Sequence, residues 1–264
     1  MKIAVCIKQV PASSDGNMDP VRGVLIRNGR KQVMNIYDAT ALETALRLKE
    51  GRTGTVDVFT MGPETAKQVL VDAYALGADE GYLISDKKFS GADSLATSFT
   101  LAQALKVKGP YDIILCGRQT TDGDTGQVGA SLAAWLEIPY LGHVNKLEEA
   151  SYESISVWQI LGKERALTNV KFPCVLAVER DIFTPRMPAL RLKLSTAKKP
   201  VITLSLKDMP VQNEQLYGLK GSPTRVKKIY TIEYPKAKQL FQSDPAASAD
   251  KMIAALNEWG LANG

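Results

Sequence analysis

Short apolar runs alternate along this chain with stretches whose apolar positions recur at helical spacing, so it reads as strands interleaved with amphipathic helices. Lys2 to Val10 carries the run IAVCI, and Pro11, Ser13, Ser14, Asp15 and Gly16 supply the loop behind it. Residues 17 to 34 are polar and irregular around Val24, Leu25 and Ile26, which fits a small hairpin over the sheet edge. Asp38 is placed to cap a helix through DATALETALRLKEG, ended by Gly51. Thr55 to Met61 is a second strand, and Gly62-Pro63 opens a helix through Lys67, Leu70, Val71 and Tyr74 to Gly77. A strand over Gly81 to Ile84, a helix over Ser90 to Val107 and a strand over Ile113 to Cys116 continue the alternation. This order predicts an α/β fold with a doubly wound, mostly parallel, Rossmann-like sheet and right-handed crossovers. Ligands in such sheets lie beyond the carboxyl ends of the strands.

The pattern changes beyond Pro139. Tyr152 to Ile160 and Arg165 to Phe172 alternate loosely, predicting a β-ribbon that turns at Leu161-Gly162-Lys163. Cys174 to Glu179 is a further apolar strand expected to join the sheet, and VITLSL after Pro200 is strand-like. From there to Lys238 the chain is rich in Pro, Gly, Lys and Gln and shows no core of its own, which suits an extended arm ordered by lying on another chain. The last helix, Pro245 to Leu261, carries Met252, Ile253, Leu256 and Trp259 as an apolar stripe for docking on this domain or a partner. The expected organisation is a nucleotide-binding α/β domain over 1–184, a loop over 185–200, and a C-terminal arm with its helix over 201–264.

Asp112 to Leu136, DIILCGRQTTDGDTGQVGASLAAWL, holds the main candidate chemistry. Its apolar run suits a central strand covered on both faces. Gly117, Gly123, Gly126 and Gly129 make the following loop permissive, and Asp122, Asp124 or Thr125 can cap a helix starting near Thr125 or Gly126. Free amides at such a helix start, backed by the helix dipole, favour a nucleotide phosphate. Asp122 and Asp124 would repel that phosphate unless they face away, cap the helix or bind a ribose hydroxyl. An ordinary strand-to-helix turn reads the same way. No GxGxxG follows the first strand, whose turn is KQVPASSDG, so a single adenine nucleotide is preferred to a dinucleotide.

Composition narrows the classes. With 264 residues and 45% hydrophobic content the chain can bury a large core. Its 33 basic and 28 acidic residues give a net charge of +5, and the excess gathers in RDIFTPRMPALRLKLSTAKK, where Asp181 is the single acid. That segment lacks interleaved aromatics beyond Phe183, so no nucleic-acid partner is expected. No apolar run is long enough to span a membrane, and the N-terminus is polar too soon for a signal peptide, so a cytoplasmic location is expected, or an organelle matrix in a eukaryote. Cys6, Cys116 and Cys174 sit in strand-like runs without CxxC spacing and read as small core residues rather than metal ligands or disulfides. Trp135 and Trp158 read as packing residues. His143, the single histidine, has no nucleophile motif around it.

MKIAVCIKQVP, MNIYDATALETALRLKE, FTMGPETAKQVLVDAYALGAD, LCGRQTTDGDTGQVGASLAAWL and FPCVLAVERDIFTPR followed by TAKKP resemble, in this order, the β subunits of electron transfer flavoproteins. The resemblance implies a non-enzymatic electron-carrier subunit that pairs with an α subunit holding FAD and itself holds a structural AMP. Carried onto this chain, the AMP pocket would use Cys6, Asn35, Ile36, Tyr37, Asp38, Met61, Gln119, Asp122, Gly123, Asp124, Thr125, Gly126, Gln127, Val128, Gly129 and Ala130. Amides of Gly126 to Gly129 would meet the phosphate. The family often has Asn at Gly126 and Thr at Val128, so those bonds would come here from backbone, and Ser13 stands where some members bring a tyrosine to the flavin.

The resemblance also implies that the basic segment is a recognition loop anchoring partner dehydrogenases through an exposed leucine. Leu194 is the first choice, with Leu190, Leu192 and Arg191 beside it, if the segment is a loop or exposed helix; a half-buried strand over LRLKL is the alternative. Glu164 at the ribbon turn would pair with an arginine of the α subunit. Two rival readings of the whole chain are a stand-alone ATP-binding or ATP-hydrolysing α/β protein and, less favoured, a nucleic-acid-associated protein using Arg186, Arg191, Lys198 and Lys199 of the basic segment.

Overall fold

A computed structural model describes residues 1–12, 31–227 and 244–260. Compact packing divides the chain into two units, Met1–Lys227 and Lys228–Gly264.

The first unit opens with β1 (Lys2–Cys6), followed by β2 (Gln9–Pro11) and β3 (Gln32–Met34), which pair antiparallel as a separate ribbon. Then come α1 (Ile36–Lys49), β4 (Thr55–Met61), α2 (Lys67–Leu76), β5 (Glu80–Ile84), α3 (Ser94–Lys108), β6 (Ile113–Gly117) and α4 (Val128–Leu136). Beyond them lie β7 (Tyr140–Ala150), β8 (Ser154–Leu161), β9 (Glu164–Lys171), β10 (Cys174–Val178), α5 (Leu190–Thr196) and β11 (Ile202–Leu204). The main sheet has the order β11-β5-β4-β1-β6-β10-β7-β8-β9, antiparallel only where β8 joins β7 and β9 joins β8.

Strand alternation explains the two-sided cover. Ile3, Val5 and Ile7 face one core with residues of α1 and α2, whereas Ala4 and Cys6 face a second core with residues of α3 and α4. In β6 Ile113 and Leu115 divide from Ile114 and Cys116 in the same way. The chain winds outward from β1 through β4 and β5, then returns to place β6 on the other flank of β1. The gap between the ends of β1 and β6 is therefore the switch point of the sheet.

Several expected elements differ. Read as one strand from Lys2 to Val10, the segment is two, because the ladder with β4 and β6 ends at Cys6, with a last bond from Ile7 N–H to the Phe59 carbonyl, and residues 9–11 pair with β3 instead. Residues 13–30, which include Ser13 and most of the expected hairpin, lie outside the described residues. The long strand β7 was not expected. It pairs parallel with β10 and antiparallel with β8 through two register shifts, so its polar alternation is interrupted. Residues 201–227, read in sequence as the start of the arm, belong to the first unit. There β11 extends the sheet beside β5, and Tyr217, fully buried, meets the rings of Phe89 and Phe99 at 5.2 Å. LRLKL is helical as α5, which overturns the strand alternative. In the second unit, α6 (Pro245–Glu258) starts with Pro at its first turn and is capped by Asp244.

Candidate functional site

At the switch point three backbone segments meet: the end of β1, the start of α1 and the loop after β6. Asn35 and Asp38 join them. Asn35 Nδ2 donates to the Gln119 carbonyl at 2.8 Å, its Oδ1 accepts from Thr121 N–H at 3.3 Å, and its N–H donates to the Lys8 carbonyl at 2.9 Å. Asp38 accepts the Lys8 N–H at 2.8 Å and the Gly117 N–H at 3.2 Å. Both residues are buried, so these bonds are unscreened by solvent. Burial pushes the Asp38 carboxyl up to about 7, against bonds from Asn35, Lys8 and Gly117 and the nearby Lys8 charge. Gly117 permits this close approach, because a Cβ there would stand 2.5 Å from Asp38 Oδ1 and 2.6 Å from Tyr37 Cβ.

These contacts correct two cap assignments. The N-cap of α1 is Asn35, not Asp38, and the N-cap of α4 is Gln127, not Asp122, Asp124 or Thr125. The acids are engaged elsewhere. Asp122 pairs with Lys8 Nζ at 2.7 Å, and Asp124, at φ 52°, accepts from Gln119 Nε2. Burial alone would push the Asp122 carboxyl up, but the Lys8 ammonium holds it below the usual carboxylate value. Lys8 thus offsets the repulsion that Asp122 would impose on an anion.

The first turn of α4 has amides without intrahelical acceptors, as every helix start does. Gly123, Gly126, Gln127 and Ala130 are exposed, Val128 is half-buried and Gly129 is buried. Gly129 lies where a Cβ would meet the Tyr140 ring at 3.3 Å and Ala177 Cβ at 3.6 Å, so the helix start sits hard against β7 and β10. Gln127 Oε1 accepts from Ser94 Oγ at 3.0 Å, tying this turn to α3. Cys6 and Met61 stand at the ends of β1 and β4, and Ile36 is half-exposed at the start of α1. Of the sequence-derived nucleotide residues, contacts join Asn35, Asp38, Gln119, Asp122 and Asp124 around the crevice at the switch point, with the buried Asn35 and Asp38 as its struts, while Cys6, Met61 and the start of α4 are placed by the strands and helix that carry them.

Charged residues not singled out in sequence flank it. Arg118 Nε stands 3.3 Å from Glu179 Oε2 but off the hydrogen-bond line, so this buried donor is unsatisfied. Its guanidinium reaches Tyr37 Oη at 3.4 Å, and His143 Nδ1 lies 3.0 Å from Glu179 Oε1. The legible signal was position: Lys8, Arg118 and Glu179 each follow an apolar strand closely. An unsatisfied cationic donor, a lysine against Asp122 and open helix amides fit an anionic ligand.

The docking and inter-subunit positions and the remaining cysteines and tryptophans are placed as follows. Leu190 and Leu194 are each 71% exposed and one turn apart on α5, while Leu192 is less exposed and Arg191 is exposed. Glu164 is exposed at the start of β9 and has no ion pair among the described residues. Cys6, Cys116 and Cys174 are all buried, and Cys6 and Cys116 face each other across β1 and β6. The Trp135 ring meets Phe99 edge-on and its Nε1 donates to Ser98 Oγ at 3.2 Å; Trp158 Nε1 donates to Glu148 at 2.8 Å. Among the described residues, no helix is long and apolar enough to cross a membrane.

Fold and crevice define a Rossmann-like α/β protein with its polar site at the switch point of a doubly wound sheet. The sequence pattern of the electron transfer flavoprotein domain matches residues 22–209. The β subunit of the electron transfer flavoprotein of Megasphaera elsdenii is 38% identical, over 88% of this chain and 87% of that one. The corresponding subunit of Thermoanaerobacterium thermosaccharolyticum is 38% identical over 97% and 98%, and that of Clostridium acetobutylicum 39% identical over 98% of both. The chain belongs to the electron transfer flavoprotein family.

Proposed function

We propose that this chain is the β subunit of a heterodimeric electron transfer flavoprotein, holding AMP in the switch-point crevice and docking electron-donating dehydrogenases through the α5 segment. The observation that carries the nucleotide reading is the gathering of Lys8, Asn35 and Asp38 on the loop after β6, which leads into the first turn of α4. On this reading the first-turn amides of α4 and the Arg118 guanidinium receive the phosphate, and Lys8 masks Asp122. Asn35 and Asp38 hold the loops at the spacing the nucleotide needs. FAD, bound chiefly by the α subunit, supplies the one- and two-electron chemistry, and this chain makes and breaks no bonds. Relatives named as β subunits of electron transfer flavoproteins support the pairing with an α subunit. The exposed leucines of α5, set among Arg191 and Lys193, suit a partner surface that is apolar with an acidic rim. Glu164 is open to an arginine of the α subunit.

Equilibrium dialysis of the nucleotide-stripped heterodimer against labelled AMP and ATP tests the ligand assignment. Retention of AMP at one per heterodimer without phosphate release from ATP is expected. ATP hydrolysis would favour the stand-alone nucleotide hydrolase instead.

A further inference from the structure

The segment from Met187 to Lys198 is clasped at both ends, and we infer that Arg186 and Lys199 are positioning residues that set the angle at which its leucines meet a partner. The inference rests on the reading of this segment as the docking site for electron donors.

The first clasp is built on α1. Arg186 Nε and its own backbone N–H both donate to Glu43 Oε2, at 2.7 and 3.2 Å, and a terminal nitrogen donates to Glu43 Oε1 at 3.1 Å. The same guanidinium reaches Glu50 at 2.8 Å. Arg47 completes the group, with its Nε 2.7 Å from Glu43 Oε1 and its guanidinium 4.4 Å from the Phe183 ring centre. The Glu43 side chain is 2% exposed. Burial alone would push its carboxyl up, but the bonds from Arg186 and Arg47 hold it below the usual value. A forked guanidinium on a buried carboxylate fixes both distance and direction.

The second clasp is built on α2. Lys199 Nζ donates to the Asp79 carbonyl and lies 4.7 Å from the Tyr74 ring centre, and Tyr74 Oη donates to the Pro200 carbonyl at 2.8 Å. Tyr74 itself is fully buried, so this end is tied to the core. Between the clasps Met187, Leu190 and Leu194 are exposed, and no residue of α5 is buried. A helix of seven residues does not hold itself in water. Lying against α2 and tied at both ends, it takes its angle from the two clasps, which lowers the ordering cost when a partner docks.

The test uses the intact heterodimer with Arg186→Gln, followed by amide hydrogen exchange, by trypsin cleavage after Arg191 and Lys193, and by electron acceptance from a dehydrogenase that reduces the wild type. Exchange over 187–198 is expected to rise about tenfold while β1 and β6 stay protected, and the apparent KM for the donor to rise about tenfold at unchanged kcat. Arg186→Lys, which keeps the charge and loses the fork, should fall between. If the single variant does not fold because Glu43 is left buried and unpaired, Glu43→Gln/Arg186→Gln removes both charges and takes its place. Unchanged exchange over 187–198, or raised exchange with unchanged KM, overturns the inference. Leu194→Ala and Leu190→Ala measured alongside separate the two claims: if both leave KM unchanged, the docking reading fails, whereas exchange still reports whether the clasp holds the segment.

Discussion

Asp38 shows how a side chain that suits a helix cap in sequence can be drawn into a different task by tertiary contacts. It lies in the first turn of α1, where an acid is favourable, yet its carboxylate turns inward to collect amides from Lys8 and Gly117. Sequence spacing brings Asp38 near a helix start, but only the fold brings Gly117 to it. The same holds for Asp122, whose partner Lys8 is distant in sequence. Asp38 also carries a pH signature. Its carboxyl is raised from about 3.8 to about 7 by burial, so the folded state keeps a proton that the unfolded chain has already released. Its contribution is thus most favourable below pH 4 and is lost as pH rises towards 7. The window of roughly three pH units corresponds to about 4 kcal/mol. Asp38→Asn should remove this dependence, so its denaturant midpoint should gain on that of the wild type as pH rises from 4 to 7.5. Parallel curves for the two proteins would show that Asp38 does not titrate in this range.

At the level of elements, the alternating apolar runs and amphipathic stretches were legible from α1 through β6 because each helix has a clean stop or start. Gly77, with φ 121°, ends α2, and Asp93 caps α3 by accepting from the amides of Leu95 and Ala96. β7 was not legible, since His143 at φ 54° and two register shifts break its alternation. The start of α4 was placed two or three residues early because the acids ahead of it, which look like caps, are engaged by Lys8 and Gln119. The glycine at its first turn was legible as permissive, but its reason was not: Gly129 needs room against Tyr140 and Ala177 rather than an unusual backbone angle. Gly129→Val should push α4 away from β7 and β10, at a cost of roughly 1–3 kcal/mol, and release AMP from the heterodimer. Full AMP content with wild-type stability would remove the α4 start from the site. For α5, Leu194→Ala removes a side chain that is 71% exposed, so stability should change by less than about 0.5 kcal/mol. Electron acceptance from the donor should nevertheless slow about tenfold or more if Leu194 is the interface anchor. Stopped-flow traces that superimpose on the wild type would move the role to Leu190.

Across the whole molecule, the winding order of the sheet puts the crevice between β1 and β6, while α1 spans from that crevice at Asn35 to the clasp at Glu43 and Glu50. One helix thus borders both proposed working surfaces, the nucleotide crevice and the base of the docking segment. Polarity decides how the two surfaces differ. The crevice sets the buried struts Asn35 and Asp38 behind an unsatisfied Arg118 donor and suits a ligand held continuously, whereas the α5 leucines are open and suit a partner that comes and goes. Both proposed surfaces require this chain to work as half of a nucleotide- and flavin-loaded pair. Native mass spectrometry of the protein taken from its own cells without added nucleotide, followed by denaturing release of its ligands, addresses that most directly. A heterodimer with a second chain carrying one FAD, and one AMP that is lost with Gly129→Val, is the predicted result. A lone chain carrying ATP or no nucleotide would contradict it.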